Sequence, residues 1–122
     1  MSVLKRLAFA AALSLAAFSA WSAAVENPVI EVVTLKIKPG ISDAEFQKID
    51  RAVEEQHVSR QPGFIARESA AGNAGSWLVI VHWKSVVDAQ ASMNSFEHAP
   101  AAKKFMDSIV PGTMTMRRYQ KP

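Results

Sequence analysis

Trp77-Leu78-Val79-Ile80-Val81-His82-Trp83 is the stretch that most restricts the folds open to this chain. Side chains along an extended strand alternate between two faces. Trp77, Val79, Val81 and Trp83 therefore share one face, and Leu78, Ile80 and His82 share the other. Both faces are apolar apart from one histidine. Such a strand must be covered on both sides, which puts it at the centre of a sheet or at an interface. The preceding Ala71-Gly72-Asn73-Ala74-Gly75 has the composition of a hairpin loop, so Phe64 to Ser69 is expected to run alongside as a neighbouring strand.

Upstream, Val29 to Ile37 alternates in the same way, with Val33, Leu35 and Ile37 on one side and Ile30, Val32 and Thr34 on the other. Pro39-Gly40 ends it as a turn. Ser42-Asp43-Ala44-Glu45 is a capping box, in which the Ser42 hydroxyl accepts from the backbone N–H three residues on and Glu45 reaches back. A helix follows, with Phe46, Ile49, Val53 and then His57 on one face. Gln61-Pro62-Gly63 stops it. After the central strand, Ser85 to Asp88 offers a second helix cap, and Val86, Ala89, Met93 and Phe96 form its apolar stripe. Pro100 interrupts that helix and suits the first residue of a new turn, because it lacks the N–H that a helix interior needs. Phe105, Met106 and Ile109 are expected to bury the second piece, and Thr113 to Tyr119 to form the last strand.

The order strand, helix, strand, strand, helix, strand is a doubled strand-helix-strand unit. It predicts an α+β, ferredoxin-like βαββαβ fold with a four-stranded antiparallel sheet. Helices cover one face of such a sheet. The other face, apolar in strands one and three, calls for a partner, and a two-fold symmetric second copy covers it most economically.

Residues 1 to 24 are set apart from this domain. Lys5 and Arg6 precede an apolar run from Leu7 to Ala20, and the small residues Ser22 and Ala24 suit a signal peptidase. The run lies near the lower limit of the roughly 17 to 25 apolar residues that cross a bilayer. A signal peptide is expected, with cleavage after Ala24, or after Ser22 as the alternative. The remaining domain, 25 to 122, is then periplasmic or secreted, with no membrane association after cleavage. The chain carries 14 basic and 11 acidic residues, and loss of Lys5 and Arg6 leaves the domain near neutral. Scattered charges of both signs make no basic stripe for nucleic acid. With no cysteine, disulfides, thiolate catalysis and thiolate metal sites are excluded, so stability rests on burial.

The chain resembles the dimeric α+β barrel proteins and, within them, the antibiotic biosynthesis monooxygenase-like domains. The resemblance spans Val29 to Tyr119. It rests on the element order, on Gln61-Pro62-Gly63-Phe64, on Val81-His82-Trp83-Lys84-Ser85 followed by Asp88-Ala89, and on Phe96-Glu97-His98. It implies a homodimer and, among the activities of similar proteins, either cofactor-independent oxygenation of phenols and quinols or haem degradation. The latter uses an asparagine on the first strand, whereas here the nearest, Asn27, precedes that strand. The resemblance puts Trp83 at the end of strand three, where similar domains carry a tryptophan, and His98 near a histidine of related domains.

The residues themselves suggest a pocket between sheet and helices. Trp83, Phe46 and Phe96 would supply aromatic walls, and Arg67 or Arg118 a partner for a carboxylate or phenolate. His57 and His98 are the candidate bases. His82 alternates to the opposite face from Trp83, toward the expected partner. The three histidines lack the close spacing of metal ligands, and no Gly-rich phosphate loop or nucleophile elbow occurs. No metal or cofactor is expected. Two functions remain open. One is an exported cofactor-independent monooxygenase acting on a small phenol or hydroquinone; the other is a non-catalytic exported dimer binding a small apolar ligand.

Overall fold

The computed structural model describes residues 27–122; the expected signal segment and its cleavage sites lie outside the described residues. Seven main elements follow in order: β1 (Val29–Lys36), α1 (Asp43–Gln56), β2 (Phe64–Ala71), β3 (Ser76–Trp83), α2 (Val86–Phe96), α3 (Pro100–Asp107) and β4 (Thr115–Gln120). A short 3-10 turn, Val58–Arg60, links α1 to β2. The expected βαββαβ order is therefore present, with the second helix split in two. The strands form one antiparallel sheet in the order β2-β3-β1-β4, so the strand with two apolar faces is an inner one.

Register fixes which side chains meet. Val29 pairs with Trp83, Glu31 with Val81, Val33 with Val79 and Leu35 with Trp77. On the other edge of β1, Glu31 pairs with Arg118 and Val33 with Met116. These residues share the face covered by the helices. Ile30, Val32, Leu78, Ile80 and His82 share the opposite face, which no described element covers; there Ile30 pairs with His82 and Val32 with Ile80.

The helices form where their caps direct. Ser42 and Glu45 make the reciprocal capping box at the start of α1, and Ser85 accepts from the backbone N–H of Asp88 at 3.1 Å to open α2. Pro100 occupies the first turn of α3, where its missing N–H costs nothing. Gly63 has φ +82; a Cβ there would run into the Asp88 carboxylate, so the entry to β2 and the cap of α2 are mutually fitted through glycine.

Phe46 joins α1, α3 and the inner strand β3 in the core. Phe46 is fully buried, with its ring centroid 5.1 Å from that of Trp77, edge to face, and 5.4 Å from that of Phe105. Burial of that ring contributes about 1.5–3 kcal/mol. On α2 the buried residues are Ala89 and Ser92, so this helix meets the sheet with small side chains. Two residues of the expected apolar stripes differ: Val86 and Met106 are each 42% exposed, because each lies at the outer edge of its short helix.

Candidate functional site

The small inner face of α2 leaves a cavity of about 440 Å³ between that helix and the sheet. Val33, Val79, Val81 and Trp83 line its sheet side, and Met93, Phe96 and Phe105 its helix side. Met106, Met114 and Met116 close the β4 end. Thioethers of this kind are adaptable and make favourable contacts with aromatic ring edges. The volume falls within the ~300–1,000 Å³ usual for small-molecule sites.

Few polar groups interrupt the apolar wall. Glu31, Arg67, Ser92, Asn94 and Glu97 are the polar residues that line it. Glu31 is only 5% exposed, on the inward face of a strand whose other inward residues, Val29, Val33 and Leu35, are apolar. Its Oε2 accepts from Arg118 Nε at 2.8 Å, and Arg118 Nη1 donates to Gln90 Oε1 of α2 at 2.9 Å. Arg118 Nη2 is buried with no partner among the described residues. No hydrogen bond to Glu31 Oε1 is formed among the described residues either.

Arg67 sits differently. Its Nη2 and Nη1 donate to the two Asp50 carboxylate oxygens at 2.7 and 3.1 Å, and Nη1 also reaches Glu54 at 3.5 Å. Asp50 accepts a further bond from the Ser69 hydroxyl at 2.6 Å. The β-bulge between Phe64 and Ala66 sets the parity that turns Arg67 and Ser69 inward toward α1. Only Nε of Arg67 lacks a partner. Trp83, 1% exposed, likewise keeps its indole N–H unpaired.

Of the residues expected from the sequence to form the site, the structure brings Trp83, Phe96 and Arg67 together on this cavity. Phe46 packs deeper, against Trp77 and Phe105, and does not line it. His57 is buried at the end of α1, with its ring against Phe96 at 5.8 Å and its Nε2 2.8 Å from the Ser95 hydroxyl. It does not line the cavity. Burial lowers its pKa below the ordinary value of 6.5, which favours the neutral ring. His98 lies outside the cavity with its side chain 80% exposed, 3.6 Å from the Glu97 carboxylate. Its segment leaves α2 at Phe96 and turns outward before Pro100. Among the described residues no cluster of histidine, cysteine or acidic side chains is arranged to hold a metal, and no helix is long and apolar enough to cross a membrane.

Glu31 is the residue that sequence reasoning missed. A signal was present, since Glu31 shares the parity of Val33 and Leu35 on the inner face. Its partner lies 87 positions away in sequence.

Residues 28–108 match the model of the antibiotic biosynthesis monooxygenase family. No curated protein matches the sequence. Solved structures of the same fold include a variant of SnoaB, a cofactor-independent oxygenase from Streptomyces nogalater. It is 17% identical, with a TM-score of 0.64, over 77% of this chain and 92% of that one. A Caulobacter crescentus CB15 protein named after the antibiotic biosynthesis monooxygenases gives 17% identity and a TM-score of 0.65, over 80% and 92% of the two chains. A conserved protein from Methanosarcina mazei Go1 gives 15% and 0.63, over 79% and 94%. At these identities the likeness is one of fold.

Proposed function

Because the chain belongs to the antibiotic biosynthesis monooxygenase family, we propose that it is an exported, cofactor-independent oxygenase acting on a small phenol or hydroquinone. The observation that carries this reading is the cavity: one aromatic and thioether wall sized for a small ring system, with only a few polar groups on its lining. The similarity to SnoaB, described as a cofactor-independent oxygenase, supports it. In such chemistry the protein binds and desolvates the substrate, and the substrate anion supplies the electrons. A phenol and O2 give a quinone and water: one oxygen atom enters the ring, and the other leaves with the two hydrogens lost from the substrate. Trp83, Phe96 and the methionines hold the ring, and the apolar walls keep water from the reacting anion.

The competing function, a non-catalytic exported binder of small apolar ligands, draws support from the position of the two candidate bases, His57 and His98, neither of which lines the cavity. Oxygen uptake by the purified, metal-free protein with a panel of hydroquinones separates the two. Uptake with one quinone formed per O2 for a phenol substrate supports the oxygenase; ligand binding with no uptake favours the binder.

The uncovered sheet face belongs to the same proposal. Ile30, Val32, Leu78 and Ile80 form an apolar centre there, and a second copy of the chain is its proposed cover. Ile80→Lys would bury an unpaired charge in that interface and should give monomers by sedimentation or light scattering. A variant that stays dimeric with an unchanged melting temperature would mean that this face is not the interface.

A further inference from the structure

The geometry points to Glu31, on the cavity wall, and Arg118, which is bonded to it, as a phenol-recognising pair in which Glu31 accepts the hydroxyl proton and Arg118 stabilises the anion left behind. This deepens the oxygenase reading and rests on it for the oxygen chemistry, whereas the recognition of the hydroxyl stands on the cavity alone. Three titratable residues line the cavity: Glu31, Arg67 and Glu97. An arginine does not give up its proton in a protein, and Arg67 is already held by Asp50 and Glu54. Glu97 has its side chain 76% exposed, where water competes for any proton it takes. Of the two carboxylates, Glu31 alone is both buried and on the wall.

Its bonding leaves capacity for a substrate. A carboxylate has room for several donors, yet the described residues supply one, Arg118 Nε at 2.8 Å on Oε2. The Arg118 guanidinium is likewise incompletely used, with Nη2 buried and unpaired. A phenolic O–H donating to Oε1 would complete the carboxylate. When the proton crosses, the O–H bond breaks, its electron pair stays on the phenolic oxygen and Glu31 becomes a neutral acid. The negative charge moves from Glu31 to the substrate, while Arg118 stays beside both. No net charge is created in a dry site, the condition that most favours proton transfer there. A phenol is ordinarily about six pK units weaker an acid than a carboxylic acid. Arg118 offsets the negative charge before and after the transfer, so the proton moves without leaving an unpaired anion in the site. The anion remains a minor species, drawn off as O2 accepts its electrons, and the proton leaves in the water formed.

The same pairing sets specificity. Both inward-facing arginines are already matched with carboxylates, so the wall offers no free cation for a second anion. An uncharged phenol fits; an aromatic acid would bury an unpaired carboxylate.

Binding of 4-nitrophenol, 4-nitroanisole and 4-nitrobenzoate to the full domain, at a mildly acidic pH that keeps the phenol un-ionised and the benzoate ionised, tests this, together with oxygen uptake on hydroquinones. Wild type is expected to bind the phenol at least about tenfold more tightly than the methyl ether or the benzoate, the ordinary worth of a hydrogen bond to a charged group. Glu31→Gln can still accept that bond but is no base, so it should keep the preference within a few fold and lose turnover by about 10²-fold or more. Glu31→Leu combined with Arg118→Met removes both charges together, which protects the fold, and should abolish the preference for the hydroxyl. The inference is overturned if 4-nitrophenol does not bind, if wild type shows no preference, if the preference survives in the folded double variant, or if Glu31→Gln turns over within a few fold of wild type. A wild type that shows the preference yet consumes no oxygen sinks the oxygenase reading and leaves the phenol-recognising pair standing.

Discussion

Two buried arginine–carboxylate pairs face the helices from the two outer strands of the sheet, and they are built to different standards. Arg67, on β2, holds Asp50 through two nitrogens; Ser69 adds a third bond to the same carboxylate and Glu54 a second carboxylate to the same guanidinium. Arg118, on β4, holds Glu31 through Nε alone, leans on Gln90 and leaves Nη2 unpaired. Satisfaction of this kind costs many positions at once, so the more fully bonded pair, in which only Arg67 Nε is left over, reads as a clamp between α1 and the sheet. The open pair meets the cavity through Glu31 and keeps bonding capacity for something else. Half-satisfied buried charge is expensive, and its retention on a cavity wall is what a binding or catalytic role explains.

The contrast can be broken in order of expected effect. Asp50→Asn removes the charge that compensates Arg67, whose side chain is only 3% exposed. It should destabilise the fold by about 3–5 kcal/mol, read as a shifted denaturant midpoint with unchanged slope. Glu31→Gln should cost less, about 1–3 kcal/mol, because the Arg118 side chain is 20% exposed and keeps its bond to Gln90. Equal losses in the two variants would erase the distinction between clamp and open pair. Trp83→Phe tests the aromatic wall of the same cavity, which Glu31 and Arg67 also line. Losing ~40 Å² of apolar surface should weaken 4-nitrophenol binding roughly fivefold, ~1 kcal/mol, with the fold kept.

The smallest effect is a pH dependence. Burial lowers the pKa of His57 in the folded protein below 6.5, so between that lowered value and 6.5 the unfolded chain binds more protons than the folded one. Stability is therefore full above about pH 6.5, falls as the pH drops through that window and levels off below the folded-state pKa. Replacing His57 by glutamine should flatten this limb in thermal melts taken across the window. An unchanged limb would assign it to another group.

Local chemistry made most of the fold legible. The capping box at Ser42, the stop at Pro62-Gly63, the cap at Ser85 and the break at Pro100 all act through residues within a few positions of one another. Period-two alternation then fixed the faces of β1 and β3, which put Trp83 inward and His82 outward. The site was less legible, because what makes it is register between distant strands. Glu31 meets Arg118 only once β1 has paired with β4, and Arg67 turns inward only because the bulge in β2 shifts its parity. His98 shows the converse. Its place just before Pro100 suggested a broken helix beside a pocket, but the break at Phe96 turns the chain toward solvent. The fate of Phe46 followed from packing: the helix face was read correctly, and the deep contact with Trp77 and Phe105 took the ring away from the cavity.

The central claim is that chemistry happens in the cavity between α2 and the sheet. Oxygen uptake on hydroquinones by wild type and by Met93→Trp, in which an indole grows into that cavity from the half-buried Met93, tests it most directly. The account predicts uptake by the metal-free wild type and its loss, by about 10²-fold or more, in a Met93→Trp protein that melts normally, as expected when bulk displaces a positioned substrate. Uptake that is undiminished when the cavity is filled, or absent from the wild type throughout the panel, would contradict it.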